Sequence, residues 1–440
     1  MTFQSATIVV PTRNRPETLA VSVRSILRQA GPDVNVLVSD NSTDPDARDA
    51  ARDFCALERV RYVRPPEPLP MPAHWAWALD AALGASNATH FAYLTDRMAF
   101  KDGELPRLLS AVRRVPDKVV SYNHDAVDDR EVPAGLQLFP WTGKLFEVDA
   151  RHLLYLSSRG VIRPPLPRML NSIAPRAVLD AVASRFGAVF GSISPDFCFT
   201  YRCLDTVDSI VYYDKPLIVQ FSMSRSQGAS YARGEDSPDR LDFASQLGET
   251  QMNYAAPVPQ FQTIRNAIFH EYCFVKAESG SGKFPEVDPR AYMAAILEDF
   301  SQIESPALRR EMLGVLRDNG WVGAPRARYD AALGLFGALL RAWSGGRSLG
   351  RIAIGAARRL LGSRLADRAA RAGIRIPPGL VGFGSAEDAI AYANRHPLPR
   401  TADSGHIEQL FEPPGSTREL PFPEGDSASP APARCFNHVE

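Results

Sequence analysis

The first half of the chain alternates between two patterns of hydrophobic and polar positions. Short runs of β-branched and other apolar residues predict buried strands, and segments with apolar residues three or four positions apart predict helices. The strands are expected at residues 6–10, 34–38, 60–63, 89–94, 118–122, 210–213 and 217–221. The helices are expected at residues 17–28, 45–57, 71–83, 102–114, 175–186 and from 194 onward. Because strands and helices alternate, the predicted fold class is α/β, a mostly parallel sheet with helices on both faces.

The pattern changes after about residue 222, where strand signals stop. A polar loop at 224–237 is followed by helical patterns at 257–276, 289–303, 306–318 and 325–343. From 402 onward the chain is rich in Pro, Ser, Gly and acidic residues, a composition typical of disorder. These changes divide the chain into an α/β domain (1–235), a helical C-terminal region (236–343), a basic amphipathic segment (344–376) and a mostly disordered tail (377–440).

Charge and cysteine content narrow the class of protein. Lys plus Arg and Asp plus Glu each number 50 among 440 residues, so the overall charge predicts no nucleic-acid partner. The five cysteines form no C-x-x-C pair and no Cys/His metal spacing, which is typical of reduced thiols. The N-terminus lacks the charged region of a signal peptide, and no apolar run is long enough to span a bilayer. We therefore expect a cytoplasmic protein.

The segment at 344–376 qualifies that expectation. Its arginines greatly outnumber its single acid, Asp367, and they alternate with apolar residues such as Leu360 and Leu361. Such a pattern is typical of a helix that lies on an anionic membrane surface. A helix packed against its own domain with its arginines in water has the same pattern, so the sequence leaves both interpretations open.

The strand expected at 89–94 ends in charged residues. The apolar and aromatic run is followed at once by Asp96 and Arg97, and the next helix begins a few residues later. Open α/β sheets bind their ligands at the carboxyl ends of central strands. A strand followed by an ordinary polar turn would have the same sequence pattern, so this segment alone does not distinguish a ligand site from a turn.

Four segments of the chain together favour a ligand site. They are T-I-V-V-P-T-R-N-R-P at 7–16, V-L-V-S-D-N-S-T-D at 36–44, L-T-D-R at 94–97 and S-P-D-F at 194–197. With these segments, residues 2–233 resemble glycosyltransferase family 2, inverting nucleotide-sugar transferases with the GT-A fold. The resemblance implies transfer of a sugar from a nucleotide-diphosphate donor to a hydroxyl of a saccharide or lipid-linked acceptor.

The resemblance also implies a donor-binding set at the first two strand ends. Pro11 and Thr12 end the first strand, where a nucleotide base lies against the backbone. Arg13 and Arg15 offer charge-assisted hydrogen bonds to diphosphate oxygens. Asp40 ends the second strand and suits a base N–H or a ribose hydroxyl, while its alternative role is to cap the following turn.

The metal motif of the family is only partly present. Asp96 matches the first acid of the D-x-D motif, which holds Mg²⁺ or Mn²⁺ against the donor diphosphate through hard oxygen ligands. The next positions are Arg97 and Met98, so the second carboxylate is missing and the sequence leaves metal dependence open. Arg97 either supplies positive charge to the diphosphate or points to solvent. His270 is a second candidate metal ligand, by analogy with a late histidine in some GT-A enzymes, or else a structural residue.

Asp196 in the S-P-D-F segment matches the family's catalytic base. Inverting transfer needs a base that deprotonates the acceptor hydroxyl as it attacks the anomeric carbon. An acid in the first turn of a helix also interacts favourably with the helix dipole, which is the alternative role of Asp196. A sugar-nucleotide-binding or scaffold protein with decayed catalysis is the alternative function. A nucleotidyltransferase is disfavoured because no glycine-rich phosphate loop follows the first strand.

Overall fold

The computed structural model describes residues 2–56, 60–128, 135–221, 254–303, 305–319, 374–376, 385–396 and 417–422. The strands are β1 (Ala6–Thr12), β2 (Val34–Asp40), β3 (Val60–Val63), β4 (His90–Tyr93), β5 (Met98–Phe100), β6 (Val120–Asp128), β7 (Gly135–Leu138), β8 (Leu145–Asp149), β9 (Ser172–Pro175), β10 (Ser209–Gln220), β11 (Ile374–Ile376) and β12 (Thr417–Leu420). The helices are α1 (Pro16–Leu27), α2 (Pro45–Cys55), α3 (Met71–Ala85), α4 (Glu104–Arg114), α5 (Ala150–Ser158), α6 (Arg176–Phe186), α7 (Pro195–Thr206), α8 (Ile264–Ser279), α9 (Pro289–Gln302), α10 (Pro306–Asp318) and α11 (Ala386–Arg395), with a 3-10 turn at Met169–Asn171.

The strands form a mixed sheet in the order β12-β8-β10-β6-β9-β4-β1-β2-β3. The run β4-β1-β2-β3 is parallel, and β6 is parallel to β10. β9 lies antiparallel between β4 and β6, and β8 and β12 continue the sheet antiparallel beyond β10. The carboxyl ends of β1, β2, β4 and β6 therefore lie along one edge of the sheet.

Alternate residues of the central strands belong to two hydrophobic cores on opposite faces. Val9 and Tyr93 share one core with apolar residues of α3, α5, α6 and α7. Ile8 and Val10 share the other core with residues of α1, α2 and α4. The α/β fold with helices on both faces, predicted from the sequence, is confirmed.

One predicted break in the sheet is wrong. The sequence predicted two strands separated by a turn at 214–216, but β10 runs through this segment with a register shift against β6 around Pro216. The buried Asp214 carboxylate accepts hydrogen bonds from the backbone N–H and the hydroxyl of Thr142, at 2.7 and 2.6 Å. Lys215 Nζ lies 2.8 Å from a carboxylate oxygen of Glu104. These long-range partners satisfy polar groups that locally favour a turn, so the strand continues.

The helical C-terminal region begins later than its sequence pattern indicated. The helix expected at 257–276 is α8, which starts at Ile264, because Asn266 Nδ2 donates to the carbonyls of Val258 and Phe261 and stabilises an irregular loop before it. α8 contributes Ile268 and Tyr272 to the core around α7, and residues of α8, α9 and α10 form a further core.

The final segments contain ordered elements that the sequence did not predict. β11, within the segment expected to be one amphipathic stretch, pairs antiparallel with β7, and β12 pairs with β8. Apolar residues of α11 pack against strands β5, β6, β7 and β10. The prediction of disorder is wrong for α11 and β12, and the sheet extends beyond the boundary expected at residue 235. The helix expected at 325–343, the loop at 224–237 and most of the basic segment lie outside the described residues. No helix in the described ranges is long and apolar enough to cross a membrane.

Candidate active site

The donor-binding candidates of the first two strands are neighbours at the carboxyl edge of the sheet. Thr12 and Asp40 face each other in the β1–β2 register, and Asn41 N donates to Thr12 O at 2.9 Å just beyond it. Pro11 is buried within β1, opposite Ser39. The parallel pairing thus places both polar strand ends side by side, as the motifs predicted.

Asp96 lies three residues beyond the end of β4 and is held by residues from the end of β1 and the start of α1. Its side chain accepts a 2.9 Å hydrogen bond from Thr12 Oγ1, and Arg15 Nη1 lies 3.5 Å from its other oxygen. The residue is only 3% exposed. Two residues from the first motif therefore hold the single acid of the third motif in place.

Asp40 is completely buried. It makes the contact expected of a residue that caps the following turn, and it also contacts two residues outside that turn. One carboxylate oxygen accepts the Ser42 N–H at 2.8 Å. The other accepts the Tyr62 hydroxyl at 2.7 Å, with Arg64 Nη1 at 3.7 Å. Asp40 thus joins the end of β2 to Tyr62 of β3 and to Arg64 just beyond it.

The loops after β1 and β2 are bound to each other. Asn14 adopts a left-handed backbone conformation, with φ of 54°, and its Oδ1 accepts the N–H groups of Thr43 and Asp44 at 2.9 and 3.0 Å. Arg13 Nη1 donates to Asn41 O at 3.2 Å. Asn tolerates this conformation better than most residues, so the R-N-R sequence suits a rigid loop that presents two arginines.

Arg97 lies in the turn between β4 and β5. Its carbonyl accepts the N–H of Phe221 at 2.9 Å, which ties the turn to the end of β10. Its side chain is partly buried. The missing second acid of the motif corresponds to Met98, whose side chain is buried in β5.

Asp196 lies in the first turn of α7, directly after Pro195. Ser194 occupies the N-cap position, but its side chain makes no capping hydrogen bond. Instead Glu271 of α8 accepts the backbone N–H groups of Ile193 and Ser194, at 2.9 and 2.5 Å. Glu271 is fully buried, so a carboxyl group from the helical region fixes the start of the helix that carries the proposed base.

The pKa of Asp196 is raised, because burial disfavours the carboxylate. The Arg168 guanidinium and the backbone N–H groups at the helix start act in the opposite direction. A raised pKa brings a carboxylate closer to the range in which it takes up a proton at neutral pH.

Arg168 and His124 reach the same edge through the sheet register. β9 runs antiparallel to both β4 and β6, so the segment before β9, which contains Arg168, lies level with the carboxyl ends of these two strands. The Arg168 guanidinium lies 5.5 Å from the ring of Phe197, the residue after Asp196. Burial lowers the pKa of His124 of β6, and the nearby positive charge of Arg168 lowers it further.

Sequence reasoning missed Arg168, His124 and Glu271. Arg168 stands between Pro167 and Met169 with no motif around it, and its placement depends on the β9 register. For Glu271 a signal existed, since an acid within an otherwise apolar and aromatic stretch of a helix is unusual.

His270 has both ring nitrogens engaged by protein groups. The backbone N–H of Ala255 donates to Nδ1 at 2.7 Å, so the proton of the neutral ring is on Nε2, which faces Ser192 Oγ. Burial lowers the pKa of His270 to about 4. This geometry favours the structural role of His270 over that of a metal ligand, because protein groups engage both ring nitrogens.

The carboxylate chemistry around Asp96 fits a divalent metal poorly. In the described part of the chain, no three His, Cys, Asp or Glu side chains come together in a way that could hold an ion. Asp96 itself is already engaged by Thr12 and Arg15. Mg²⁺ and Mn²⁺ prefer several oxygen ligands, whereas Asp96 is a single carboxylate that already contacts Thr12 and Arg15.

The comparisons with known proteins give a family match for the N-terminal part of the chain. A model of the family "Glycosyl transferase family 2" matches residues 7–164, and it confirms for this part of the chain the family that the motifs predicted. None of the curated protein sequences compared with the chain matches it.

Three of the similar solved structures are of S. aureus TarS. TarS 1-349 in complex with UDP-GlcNAc is 15% identical, with 83% of this chain and 92% of that chain covered and a TM-score of 0.45. Another structure of TarS 1-349 is 13% identical, with 72% and 88% covered and a TM-score of 0.39. A third, described as TarS, is 13% identical with a TM-score of 0.38, and the match covers 74% of this chain and 56% of that one.

Proposed function

We propose that this protein is an inverting glycosyltransferase that moves a sugar from a nucleotide-diphosphate donor to a hydroxyl of a saccharide or lipid-linked acceptor. The observation that carries the proposal is the Thr12–Asp96–Arg15 cluster at the carboxyl edge of the sheet. Open α/β sheets bind ligands at this edge. The family match over residues 7–164 supports sugar transfer as the class of reaction.

The reaction is a single displacement. Asp196 takes the proton of the acceptor hydroxyl while the acceptor oxygen forms a bond to the anomeric carbon. The bond between that carbon and the donor phosphate oxygen breaks, and its electron pair leaves with the nucleoside diphosphate. One displacement from the face opposite the leaving group inverts the anomeric configuration.

The leaving diphosphate gains negative charge that must be stabilised. Arg13 and Arg15 follow β1 and Arg97 follows β4, and their guanidinium groups can form bidentate hydrogen bonds with phosphate oxygens. If Mg²⁺ or Mn²⁺ takes part, Asp96 is the residue to hold it. Because the described residues fit a metal poorly, we propose that arginines provide most of the stabilisation.

A sugar-nucleotide-binding protein without catalysis is the second candidate. The absence of the second acid at Met98 favours it. It predicts donor binding without turnover, whereas the enzyme predicts both, so binding and turnover must be measured on the same samples.

The test is a panel of nucleotide sugars, including UDP-GlcNAc, measured by thermal shift and by donor hydrolysis. A ligand at 100 times its dissociation constant should stabilise the native state by about 2.7 kcal/mol. A shift together with release of nucleoside diphosphate supports the enzyme. A shift without release, in the presence or absence of saccharide acceptors, supports the binding protein. No shift with any member of a panel that spans the common bases and sugars would overturn both.

A further inference from the structure

Arg168 is a cation beside the proposed base, and the protein leaves one of its donor atoms without a partner. Its Nε atom is buried and has no hydrogen-bond partner. None of the ion pairs found among the described residues involves its guanidinium. Burial lowers the pKa of Arg168, and the nearby Asp196 opposes that shift. Buried polar atoms in native proteins nearly always have partners, so the unpartnered Nε atom of this partly buried guanidinium points to an external one.

The position of Arg168 is fixed by its backbone. Its N–H donates to Asn171 Oδ1 at 3.0 Å, and Asn171 Nδ2 in turn donates to Tyr122 O of β6 at 3.0 Å. The guanidinium stacks against Phe197, 5.5 Å from the ring. The side chain is therefore held between the sheet edge and the start of α7 before any ligand arrives.

His124 provides a second polar group at the same place. It is partly buried, and burial together with the Arg168 charge lowers its pKa to about 3. A neutral imidazole beside a guanidinium can donate or accept a hydrogen bond without adding charge. Its ring lies 6.5 Å from that of Phe139, and no hydrogen bond to its imidazole is found within the described ranges.

We propose that Arg168, with His124 beside it, binds an anionic group of the acceptor, a phosphate or a carboxylate close to the hydroxyl that Asp196 deprotonates. The guanidinium fork matches the oxygens of either group. This inference rests on the proposed function, because the acceptor is chosen as the ligand on the ground that Arg168 lies next to Asp196, the proposed base. The donor diphosphate is the other source of an anion, but a base contacts the acceptor, and Arg168 stacks on the residue next to that base.

The test separates the two sources with a nucleoside diphosphate already bound. Inorganic phosphate and glycerol 3-phosphate are titrated into the full chain by calorimetry in the presence of saturating nucleoside diphosphate, with glycerol as the neutral probe. The variants are Arg168→Gln and Arg168→Lys, with Arg97→Gln as the donor-edge comparison. Arg159→Gln, an arginine paired with Asp288 near the surface, is the matched control.

We expect Arg168→Gln to weaken binding of both anionic probes at least tenfold, the effect of a charge-assisted hydrogen bond. Nucleoside diphosphate affinity should stay within about twofold in this variant, whereas Arg97→Gln should lower it. Arg168→Lys keeps the charge without the fork and should bind phosphate weakly, which keeps the test informative if Arg168→Gln fails to fold. The control should match the wild type.

Three results would overturn the inference. They are no anion binding by the nucleotide-bound wild type, unchanged anion binding in both Arg168 variants, and an equal loss of nucleoside diphosphate and phosphate binding in Arg168→Gln. The last would assign Arg168 to the donor. A fourth result would separate the two proposals. If the protein neither binds nor hydrolyses any nucleotide sugar, but binds the anionic probes through Arg168 in the absence of nucleotide, the proposed function is rejected and the anion site is retained.

Discussion

The Nη1 atom of Arg15 lies 3.5 Å from the Oδ1 atom of Asp96, at the position where the family motif has its first metal-binding acid. A carboxylate that faces a guanidinium has part of its charge already balanced, so its attraction for a divalent cation is weaker. The pairing therefore favours an arginine-based site for the diphosphate over a metal-based one.

We expect donor turnover to persist in a chelator, with only modest stimulation by Mg²⁺ or Mn²⁺. Arg97→Ala should weaken nucleoside diphosphate binding by roughly 1.5–3 kcal/mol, the contribution of a charge-assisted hydrogen bond. The measurements are turnover in chelator and in added metal, and nucleotide binding, with the exposed Arg61→Ala of β3 as control. Complete loss of wild-type turnover in chelator, with normal nucleotide binding by Arg97→Ala, would restore Asp96 as a metal ligand.

Replacement of Asp196 by Asn should separate chemistry from binding. If Asp196 is the base, the variant keeps donor affinity and loses turnover by about 10²–10⁴-fold, the usual effect of a positioned base. Asp180→Asn, on the exposed side of α6, is the control. Only the carboxylate form of Asp196 can act as the base, and its pKa is raised. As the pH is lowered, wild-type turnover should therefore begin to fall at a higher pH than it would with an ordinary aspartate as base. Near-normal turnover of Asp196→Asn would show that another group takes the proton.

Glu271 should stabilise the start of α7 as a hydrogen-bond acceptor. Glu271→Gln keeps an oxygen for the N–H groups of Ile193 and Ser194, whereas Glu271→Ala leaves both without an acceptor. We expect the alanine variant to lose about 2 kcal/mol or more of unfolding free energy. It should also lose turnover, because Asp196 is no longer held. Similar stability of the alanine and glutamine variants would argue against this role.

The stability difference between wild type and Glu271→Gln should depend on pH. Burial raises the pKa of Glu271 to about 8 from an ordinary 4.5, while the Ile193 and Ser194 N–H groups and Arg202 oppose the shift and Asp196 adds to it. Between these values the native state holds a proton that the unfolded chain releases, so the wild type loses stability relative to the variant as pH rises from about 5 to 8. Urea unfolding at both ends of this range measures the difference, with the exposed Glu286→Gln as control. A constant difference would contradict the buried, protonated carboxyl.

The C-terminal helix α11 should contribute to the stability of the sheet domain. Ile390 packs in a core with Val127 of β6 and Val219 of β10. Ile390→Ala should lower the unfolding free energy by about 2–5 kcal/mol, the range for truncating a buried Ile, Leu or Met side chain to alanine. Ala391→Ser, at an exposed position of the same helix, should have little effect. Equal unfolding curves for the two variants would show that α11 adds no stability.

The basic segment should bind anionic vesicles if it is an interfacial helix. Deleting the chain beyond residue 343 would also remove β11 and β12 from the sheet, so a charge variant is the cleaner test. We expect the full chain to sediment with phosphatidylglycerol vesicles and not with phosphatidylcholine vesicles, and less so at high salt. The combined Arg358→Gln, Arg359→Gln, Arg364→Gln and Arg368→Gln variant should bind less. Equal, salt-insensitive binding by both proteins would remove the membrane hypothesis.

The sequence by itself determined the alternation of elements and the family of the N-terminal part. Strand runs such as the one ending at Leu94 are apolar because both sheet faces are covered, and local helix signals such as Pro16 sit where α1 begins. These are short-range properties of neighbouring residues, so they can be read from the chain without knowing its partners. The motifs likewise located Thr12, Asp40 and Asp96 at strand ends.

Only the tertiary structure decided what these residues contact and which others join them. Asp214 and Lys215 lie within a strand because Thr142 and Glu104 satisfy them, although the local sequence favours a turn. Arg168 reaches the edge through the antiparallel register of β9, and Glu271 reaches α7 from 77 residues further along the chain. Contacts across such distances depend on the packing of whole elements, and no local pattern of residues encodes them.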